Sequence, residues 1–200
     1  MKIIGLAGSS GSGKGYVSSA FIKFGVPAID TDRVYRELTT KKGSKCLDEL
    51  VVEFGNEILD TDGALNRKAL ADIVFEGDGS KARLEKLNNI AHKHIKIDTE
   101  RIIIELEKEG KSAVIIDAPV LFESGFDKMC DFTVCVTAPY DLKLERIVSR
   151  DKISKEKAEA RLKNQLSDDE LIKLSKYQID NSNCDIISQI EQILKSENII

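Results

Sequence analysis

Near the start of the chain, glycine, serine and lysine residues are spaced for binding phosphate groups. Gly8 is followed by four residues and then by Gly13 and Lys14. In a phosphate-binding loop of this spacing, glycines permit positive φ angles, so that successive backbone N–H groups turn toward phosphate oxygens. We expect Lys14 to bridge the β and γ phosphates of a nucleotide, and the alternative is an ordinary glycine turn. The predicted nucleotide contacts in this segment are Gly8, Gly11, Ser12, Gly13, Lys14, Gly15 and Tyr16.

The residue after Lys14 departs from this motif. A serine or threonine hydroxyl normally stands there and binds Mg²⁺, whereas this chain has Gly15. A water molecule, Ser12 and Ser18 are the candidates to replace the missing ligand, and the sequence leaves that choice open. We therefore expect a site for ATP and Mg²⁺ in which binding of the metal is weakened.

Three aspartates follow apolar segments that are typical of strands. Asp30 and Asp32 come after residues 26–29, and Asp117 comes after residues 112–116. In a parallel α/β sheet, ligands bind beyond the carboxyl ends of the strands, where these side chains are expected to meet. We assign Asp32 as the base that receives or orients a hydroxyl proton, and Asp117 and Asp30 as metal ligands. A helix N-cap is the alternative role for Asp30 and Asp32.

The elements that must position these residues alternate between strands and helices. Apolar runs predict five short strands, at residues 2–7, 26–29, 112–116, 132–136 and 177–179. Helical spacing follows the glycine loop, runs from Pro139 to about Ser149, and returns in a closing apolar stripe at Ile186, Ile190, Ile193 and Leu194. The predicted fold is α/β, of the P-loop NTPase type, with a doubly wound, mainly parallel five-stranded sheet.

Two helical regions are expected to be added to this sheet within a single unit of residues 1–200. Residues 33–110 have mostly helical periodicity and are predicted to form a substrate-binding insertion. Residues 151–176 are highly charged and are predicted to form a mobile helical lid. The core then consists of residues 1–32, 111–150 and 177–200.

Basic residues of the second half are candidates for contacts with the nucleotide. Arg161 and Gln165 are four residues apart on one predicted helix, so that both are expected to reach the nucleotide when the lid closes. A guanidinium there neutralises charge that develops on the transferred phosphoryl group. Arg146 and Arg150 also share a helical face, and one is expected to reach ATP while the other pairs with an acid such as Glu145. The alternative for each arginine is an ordinary solvated helix face.

Composition excludes several classes of protein. The net charge is −4, whereas proteins that bind nucleic acids or anionic membranes in general need a basic face, so neither partner is expected. No apolar run is long enough to cross a bilayer, and a cytoplasmic location is expected by default. The four cysteines form no CxxC pair, and we expect them to pack as small apolar side chains rather than to bind zinc: Cys46, Cys130, Cys135 and Cys184.

The early motifs resemble those of the dephospho-coenzyme A kinase family. Residues 5–15 are similar to its Gly-Leu-Thr-Gly-Gly-Ile-Gly-Ser-Gly-Lys-Ser, and residues 29–32 resemble its Ile-Asp-Ala-Asp. Residues 62–67 are similar to its Asp-Gly-x-Leu-x-Arg, and His92 falls where the family has His-Pro. The departures from the family pattern are Ala7, Ser9, Ser10, Gly15 and Lys93.

The later motifs extend the resemblance over nearly the full chain. Residues 117–123 resemble the family's Asp-x-Pro-Leu-Leu-Phe-Glu, and the family's later pattern is matched by Arg146, Arg150, Arg161, Gln165 and residues 179–181. The resemblance implies transfer of phosphate from MgATP to the ribose 3′-hydroxyl of dephospho-coenzyme A. It also implies that the substrate is contacted by Asp32, Arg67, His92, Pro119, Leu121, Phe122 and Glu123.

Other functions remain open at this point. A different P-loop nucleoside or nucleotide kinase would use the same core chemistry, and a catalytically weak ATP-binding regulatory protein is suggested by Gly15. For His92 a structural role is the alternative, and for Leu121 and Phe122 it is packing in the core. We expect a monomer or a weak homo-oligomer.

Overall fold

A five-stranded parallel sheet forms the centre of the computed structural model, which describes residues 1–182 and 185–200. The strands are β1 (Lys2–Ala7), β2 (Ala28–Asp30), β3 (Ala113–Asp117), β4 (Phe132–Thr137) and β5 (Tyr177–Asp180). Their order in the sheet is β2-β3-β1-β4-β5, and every pairing of neighbours is parallel. The predicted fold class is therefore confirmed. The second strand begins later than residue 26, because Pro27 has no N–H to donate to a neighbouring strand.

Nine α-helices connect and flank these strands within the described residues. In chain order they are α1 (Lys14–Ile22), α2 (Thr31–Thr40), α3 (Lys45–Phe54), α4 (Arg67–Phe75), α5 (Ser80–Lys108), α6 (Tyr140–Asp151), α7 (Lys155–Lys163), α8 (Asp168–Leu174) and α9 (Ile186–Ser196). Short 3₁₀ helices span Asn56–Ile58 and Asp127–Met129. No helix in the described part of the chain is long and apolar enough to cross a membrane.

Two compact units make up the chain. One contains Met1–Asp30 and Glu105–Ile200 and includes the whole sheet, and the other contains Thr31–Ile104. The sheet unit has a core in which β-strand residues such as Ile115 and Val134 pack with Phe21 of α1 and Ile190 of α9. Complete burial of one such side chain contributes roughly 1.5–3 kcal/mol. The apolar stripe of α9 therefore has the core-facing role that its spacing predicts.

The helical unit has an apolar core of its own. Leu50, Ile58 and Val74 are fully buried in it and come from α3, the first 3₁₀ helix and α4. Asn66 caps α4, since its side chain accepts a hydrogen bond from the N–H of Ala69. These contacts make residues 31–104 a packed helical body rather than a long surface loop.

The cysteines that the structure describes carry free thiols. Cys46 and Cys135 are buried, and Cys130 is partly buried. Burial raises the pKa of Cys46 to about 11 and that of Cys130 to about 12, so both remain neutral thiols near pH 7. Cys184 lies outside the described residues.

Candidate active site

The glycine loop joins β1 to α1 and has the backbone conformation that only glycine adopts easily. Gly11 and Gly13 have φ angles of 78° and 88°, in the left-handed region. A Cβ atom on Gly11 would lie 2.4 Å from the carbonyl oxygen of Lys143, and one on Gly13 would lie 2.0 Å from Nδ2 of Asn181. Both the backbone angles and the close neighbours therefore require glycine at these positions.

Two side chains hold the carbonyl groups of this loop. Arg146 donates from Nη1 to the carbonyl oxygens of Gly11 and Ser12, at 3.1 Å and 3.3 Å, and from Nη2 to that of Asn181 at 3.3 Å. Asn181 in turn donates from Nδ2 to the carbonyl oxygen of Ser12 at 2.8 Å. Arg146 thus fixes the loop, in addition to lining the cleft beside it.

Lys14 forms an ion pair with Asp117 at the carboxyl edge of the sheet. Each of the two side chains is only 16% exposed, so the pair is partly shielded from water. Asp117 ends β3 and lies in register with Asp30, the last residue of β2. Two carboxylates on neighbouring strands and one ammonium group therefore end at the same edge as the glycine loop.

The carboxylates suit a magnesium ion in their chemistry. Within the described residues, no cluster of three or more His, Cys, Asp or Glu side chains forms a complete metal site. Mg²⁺ is commonly held by one or two carboxylates together with phosphate oxygens and water, and Asp30 and Asp117 provide two. Ser12 and Ser18, the two hydroxyls considered as replacements at Gly15, are 0% and 7% exposed.

A cleft of about 610 Å³ opens beside the loop. It is lined by the predicted contacts Gly8, Gly11, Gly13, Lys14, Gly15, Pro119, Arg146, Arg150 and Gln165, together with Ser9, Ser10, Leu142, Glu145 and Ser149. Ser12, Tyr16 and Arg161 are not part of this lining: Ser12 is fully buried, and Tyr16 is 63% exposed on α1. A single cavity therefore brings together the loop, the lysine and two of the three arginines that were candidates for contacts with the nucleotide.

The segment after β3 borders a narrow crevice next to the same loop. Gly8, Pro119, Phe122 and Glu123 line it together with Gln165. Leu121 also borders it, but its side chain is 1% exposed and lies close to Gly5 of β1. Burial of this kind favours the packing role that the sequence left open for Leu121.

The charged segment after α6 differs from its prediction in one respect. Arg161 lies on α7, which ends at Lys163, so Gln165 is in the connection to α8 and the two do not share a helix. The prediction of one helix was wrong because α8 begins anew at Ser167, whose hydroxyl accepts from Glu170 N–H in a capping box. Gln165 nevertheless contacts the loop, since its Oε1 accepts a hydrogen bond of 2.9 Å from the N–H of Ser10.

Asp151 binds two of the predicted arginines at the end of α6. Arg150 donates from Nε to Oδ1 at 2.7 Å and from Nη2 to Oδ2 at 3.0 Å, and Nη1 of Arg161 pairs with the same Oδ2. The bonds from Arg150, and then those from Arg161, hold the pKa of Asp151 well below its usual range. The acid that pairs with one of the two arginines on α6 is thus Asp151, bound by Arg150, whereas the sequence suggested an acid such as Glu145.

The remaining predicted residues lie in the helical unit. Asp32 is exposed in the first turn of α2, and Arg67 is the first residue of α4, with its guanidinium 5.8 Å from the ring centre of Tyr35. His92 is half-buried on α5, and burial, with a smaller effect of Lys96, lowers its pKa. A neutral imidazole near pH 7 follows from that shift.

Comparison with known proteins decides the family. A family model for dephospho-CoA kinase matches residues 2–185. The chain belongs to the dephospho-CoA kinase family. It is 40% identical to the dephospho-CoA kinase of Fusobacterium nucleatum subsp. nucleatum, over 96% of this chain and 93% of that protein. The resemblance stated from the motifs is therefore confirmed.

Solved structures agree with this family membership. A dephospho-CoA kinase from Campylobacter jejuni has a TM-score of 0.69 and 26% identity, and the match covers 98% of this chain and 96% of that one. TT1252 from Thermus thermophilus has a TM-score of 0.77 and 27% identity, with the same coverage of 98% and 96%. This dephospho-CoA kinase family member thus has the fold of its relatives along nearly its whole length.

Besides Asn181, two charged residues that contact the glycine loop of this dephospho-CoA kinase family member had no site role predicted from the sequence. Lys143 on α6 is 7% exposed and reaches both Ser9 and Asp168, which lies at the start of α8. A signal for Lys143 was present, because it stands four residues before the buried Ile147 and therefore on the inner face of α6. Asp168 had no such signal, since it is one of several acids in a charged segment.

Proposed function

We propose that this protein transfers the γ-phosphate of ATP to the 3′-hydroxyl of dephospho-coenzyme A, giving coenzyme A and ADP. The observation that carries the proposal is the cleft in which the glycine loop and Lys14 line one cavity, in a chain of the dephospho-CoA kinase family. Phosphoryl transfer of this kind depends mainly on positioning and on electrostatic stabilisation, and the residues of the cleft are of the types that provide both.

The phosphates of ATP bind at the glycine loop in this proposal. The positive φ angles of Gly11 and Gly13 support a loop whose backbone N–H groups serve the phosphates, and the N-terminus of α1 adds its positive dipole end. Lys14 moves from Asp117 to the β and γ phosphates, which are the stronger anionic partner. Arg150 lies in the same cleft and adds positive charge toward the nucleotide.

Magnesium is held by Asp117 and Asp30 in this proposal, with water in place of the hydroxyl that Gly15 lacks. When bound, the ion neutralises negative charge on the phosphate oxygens. The register of the two aspartates at the end of β2 and β3 supports this assignment. Release of Lys14 from Asp117 also leaves that carboxylate available to the ion.

The acceptor hydroxyl is oriented by Asp32, which receives its proton as the phosphoryl group transfers. Exposure of Asp32 in the first turn of α2 supports a role toward a ligand over one in the core. Dephospho-coenzyme A is contacted further by Arg67, His92, Pro119, Phe122 and Glu123, whereas the buried Leu121 packs beneath the substrate-contacting segment. A neutral His92 suits a hydrogen bond to a substrate better than an ion pair.

Residues 151–176 act as the lid over ATP. The hydrogen bond between Gln165 and the N–H of Ser10 supports a segment that already contacts the loop. Arg161 leaves Asp151 and approaches the transferred phosphoryl group, where its guanidinium stabilises developing charge. Residues 33–110 serve as the substrate-binding insertion, and cytoplasmic location and a monomeric or weakly associated state stay predictions from the sequence.

Product analysis tests the proposed function. Purified protein is incubated with ATP, varied Mg²⁺ and dephospho-coenzyme A, with adenosine and common nucleoside monophosphates as rival acceptors, and products are identified by mass spectrometry. The expected product is coenzyme A, formed only from dephospho-coenzyme A and abolished in Asp32→Asn. Phosphorylation of another acceptor would show that the proposed substrate is wrong. ATP binding without transfer to any acceptor would favour an ATP-binding regulatory protein over a kinase.

A further inference from the structure

A buried lysine contacts the glycine loop. Lys143 on α6 has a side chain that is only 8% exposed. Lysine is almost never buried to this degree without a partner, because removing an ammonium group from water is costly. The contacts of Lys143 therefore indicate why the sequence places a charge there.

Lys143 connects the loop to the first residue of α8. Its Nζ donates to Oδ1 of Asp168 at 2.8 Å and to Oγ of Ser9 at 3.3 Å. The Ser9 hydroxyl in turn donates to the same Oδ1 of Asp168 at 3.3 Å. The three side chains thus form a closed triangle, with one member on the loop, one on α6 and one on α8.

The backbone of Lys143 contacts the loop as well. Its carbonyl oxygen lies where a Cβ on Gly11 would approach to 2.4 Å, so the two backbones are packed without space for a side chain. Between these contacts, the N–H of Ser10 donates to Oε1 of Gln165 at 2.9 Å. Three consecutive loop residues, 9 to 11, are therefore held by α6 and by the segment that leads into α8.

We infer that Lys143 and Asp168 are positioning residues, which set the conformation of residues 9–11 so that the loop is ready to receive the phosphates of ATP. Neither side chain contacts the reacting atoms in this inference, and both act through the loop. The inference rests on the proposed function only in taking ATP as the ligand of the loop.

Replacing both charges separates positioning from stability. Loss of one partner leaves an uncompensated buried charge and destabilises the fold, whereas loss of both removes that penalty. The variant Lys143→Met/Asp168→Asn is therefore expected to keep a melting temperature close to that of the unmodified protein. Its affinity for ATP is nevertheless expected to be lower than that of the unmodified protein, because the three side chains that hold the loop no longer form their triangle.

A second ion pair of the sheet unit provides the matched control. Lys176 and Glu197 pair at 2.5 Å, and Lys176 directly precedes β5, at the opposite end of the strands from the loop. The variant Lys176→Met/Glu197→Gln removes the same number of charges without touching residues 9–11. Its dissociation constant for ATP is expected to equal that of the unmodified protein.

Calorimetric titration of the full chain with ATP and Mg²⁺, without acceptor, tests the inference. The Lys143→Met/Asp168→Asn variant is expected to raise the dissociation constant roughly tenfold, equivalent to about 1.4 kcal/mol. In turnover, the KM for ATP is expected to rise, while the KM for dephospho-coenzyme A stays unchanged. Normal ATP affinity in this variant would overturn the inference and leave the pair a purely structural role.

Two further outcomes are informative. Should the double variant fail to fold, Ser9→Ala removes one corner of the triangle without creating a buried charge, and it is expected to weaken ATP binding by about twofold to threefold. Unchanged affinity in Ser9→Ala would then contradict the inference. Absence of ATP binding by the unmodified protein would overturn the proposed function itself, and the inference with it.

Discussion

The glycine loop and the segment of residues 151–176 belong to the same unit but are held in different ways. Loop carbonyls accept from Arg146 and Asn181, and the left-handed glycines have no space for a side chain. Arg161, by contrast, is held in an exposed ion pair with Asp151, of the kind that contributes little to stability. The comparison indicates a rigid phosphate site beside an arginine that is free to change partners at small cost.

Replacement of Lys14, next to the rigid glycine loop, is expected to have the largest effect on activity. Lys14→Met takes away the ammonium group that is proposed to bind the β and γ phosphates, and kcat/KM should fall by about 10²–10³-fold. Lys23→Met is the matched control, since Lys23 is an exposed residue at the other end of the same helix. Steady-state kinetics of both variants check this. Activity in Lys14→Met close to that of Lys23→Met would contradict the role of Lys14.

Substitution of a loop glycine tests the rigidity itself. Gly13→Ala places a methyl group 2.0 Å from Asn181 at a φ of 88°, and it should destabilise the protein by about 1–3 kcal/mol and weaken ATP binding. Gly15→Ala is the matched control, because a Cβ there has no neighbour within 4 Å. Urea unfolding and ATP titration distinguish the two variants. Equal behaviour would mean that the loop adapts more easily than its geometry indicates.

Replacement of Arg161 tests whether an arginine of residues 151–176 changes partners during phosphoryl transfer. Arg161→Gln removes the guanidinium that is proposed to move onto the transferred phosphoryl group, so kcat should fall by about tenfold or more while the melting temperature changes little. Lys163→Gln, on the same helix, is the matched loss of charge. A normal kcat in Arg161→Gln would leave Arg161 as a surface residue that only pairs with Asp151.

A pH titration tests the burial of Cys130, which lies beside Gly5 of the strand that leads into the glycine loop. Burial, with smaller effects of Asp127 and Asp131, raises the pKa of Cys130 from 9.0 to about 12. The unfolded chain loses this proton at lower pH than the folded chain, so stability falls as the pH rises from about 9 to about 12. Between pH 8 and pH 10 the loss for one thiol is about 1.4 kcal/mol. Urea unfolding of Cys130→Ala should lack this part of the decrease, and an equal decrease would exclude Cys130 as its source.

Gly15 is expected to give the smallest effect. Gly15→Ser restores the hydroxyl of the motif at a position where a Cβ fits freely, so the Mg²⁺ concentration for half-maximal activity should fall severalfold with little change in stability. Activity measured against Mg²⁺ concentration checks this, with Gly15→Ala as the control. An unchanged Mg²⁺ requirement would contradict the weakened metal binding expected from Gly15.

Features that depend on one short segment of the chain were predicted from the sequence. The strand segments and the glycine loop follow from local patterns: apolar runs of β-branched residues predict strands, and glycines of fixed spacing predict the loop. Several strand ends differ from the predicted ones by one residue, and the start of β2 differs by two, because Pro27 has no N–H to donate to the sheet. Contacts encoded within one short segment are therefore readable without a structure.

Contacts between distant segments were not readable in this way. Asp168 and Asp151 stand among many other charges of the second half, and nothing local distinguishes the residue that meets Lys143 or Arg161. The break between α7 and α8 was also missed, because continuous charge hid the capping serine at Ser167. Side-chain pairing across 25 or more positions, as between Lys143 and Asp168, depends on tertiary packing.

Single-turnover transfer from ATP labelled at the γ-phosphate tests phosphorylation of the 3′-hydroxyl of dephospho-coenzyme A. Enzyme in excess over labelled ATP is mixed with Mg²⁺ and either dephospho-coenzyme A or its 3′-deoxy analogue, and the labelled product is separated and compared with coenzyme A. We expect that label moves to dephospho-coenzyme A, that the product is identical to coenzyme A, and that the 3′-deoxy analogue receives none. Transfer to the analogue, or no transfer to dephospho-coenzyme A, would contradict this expectation.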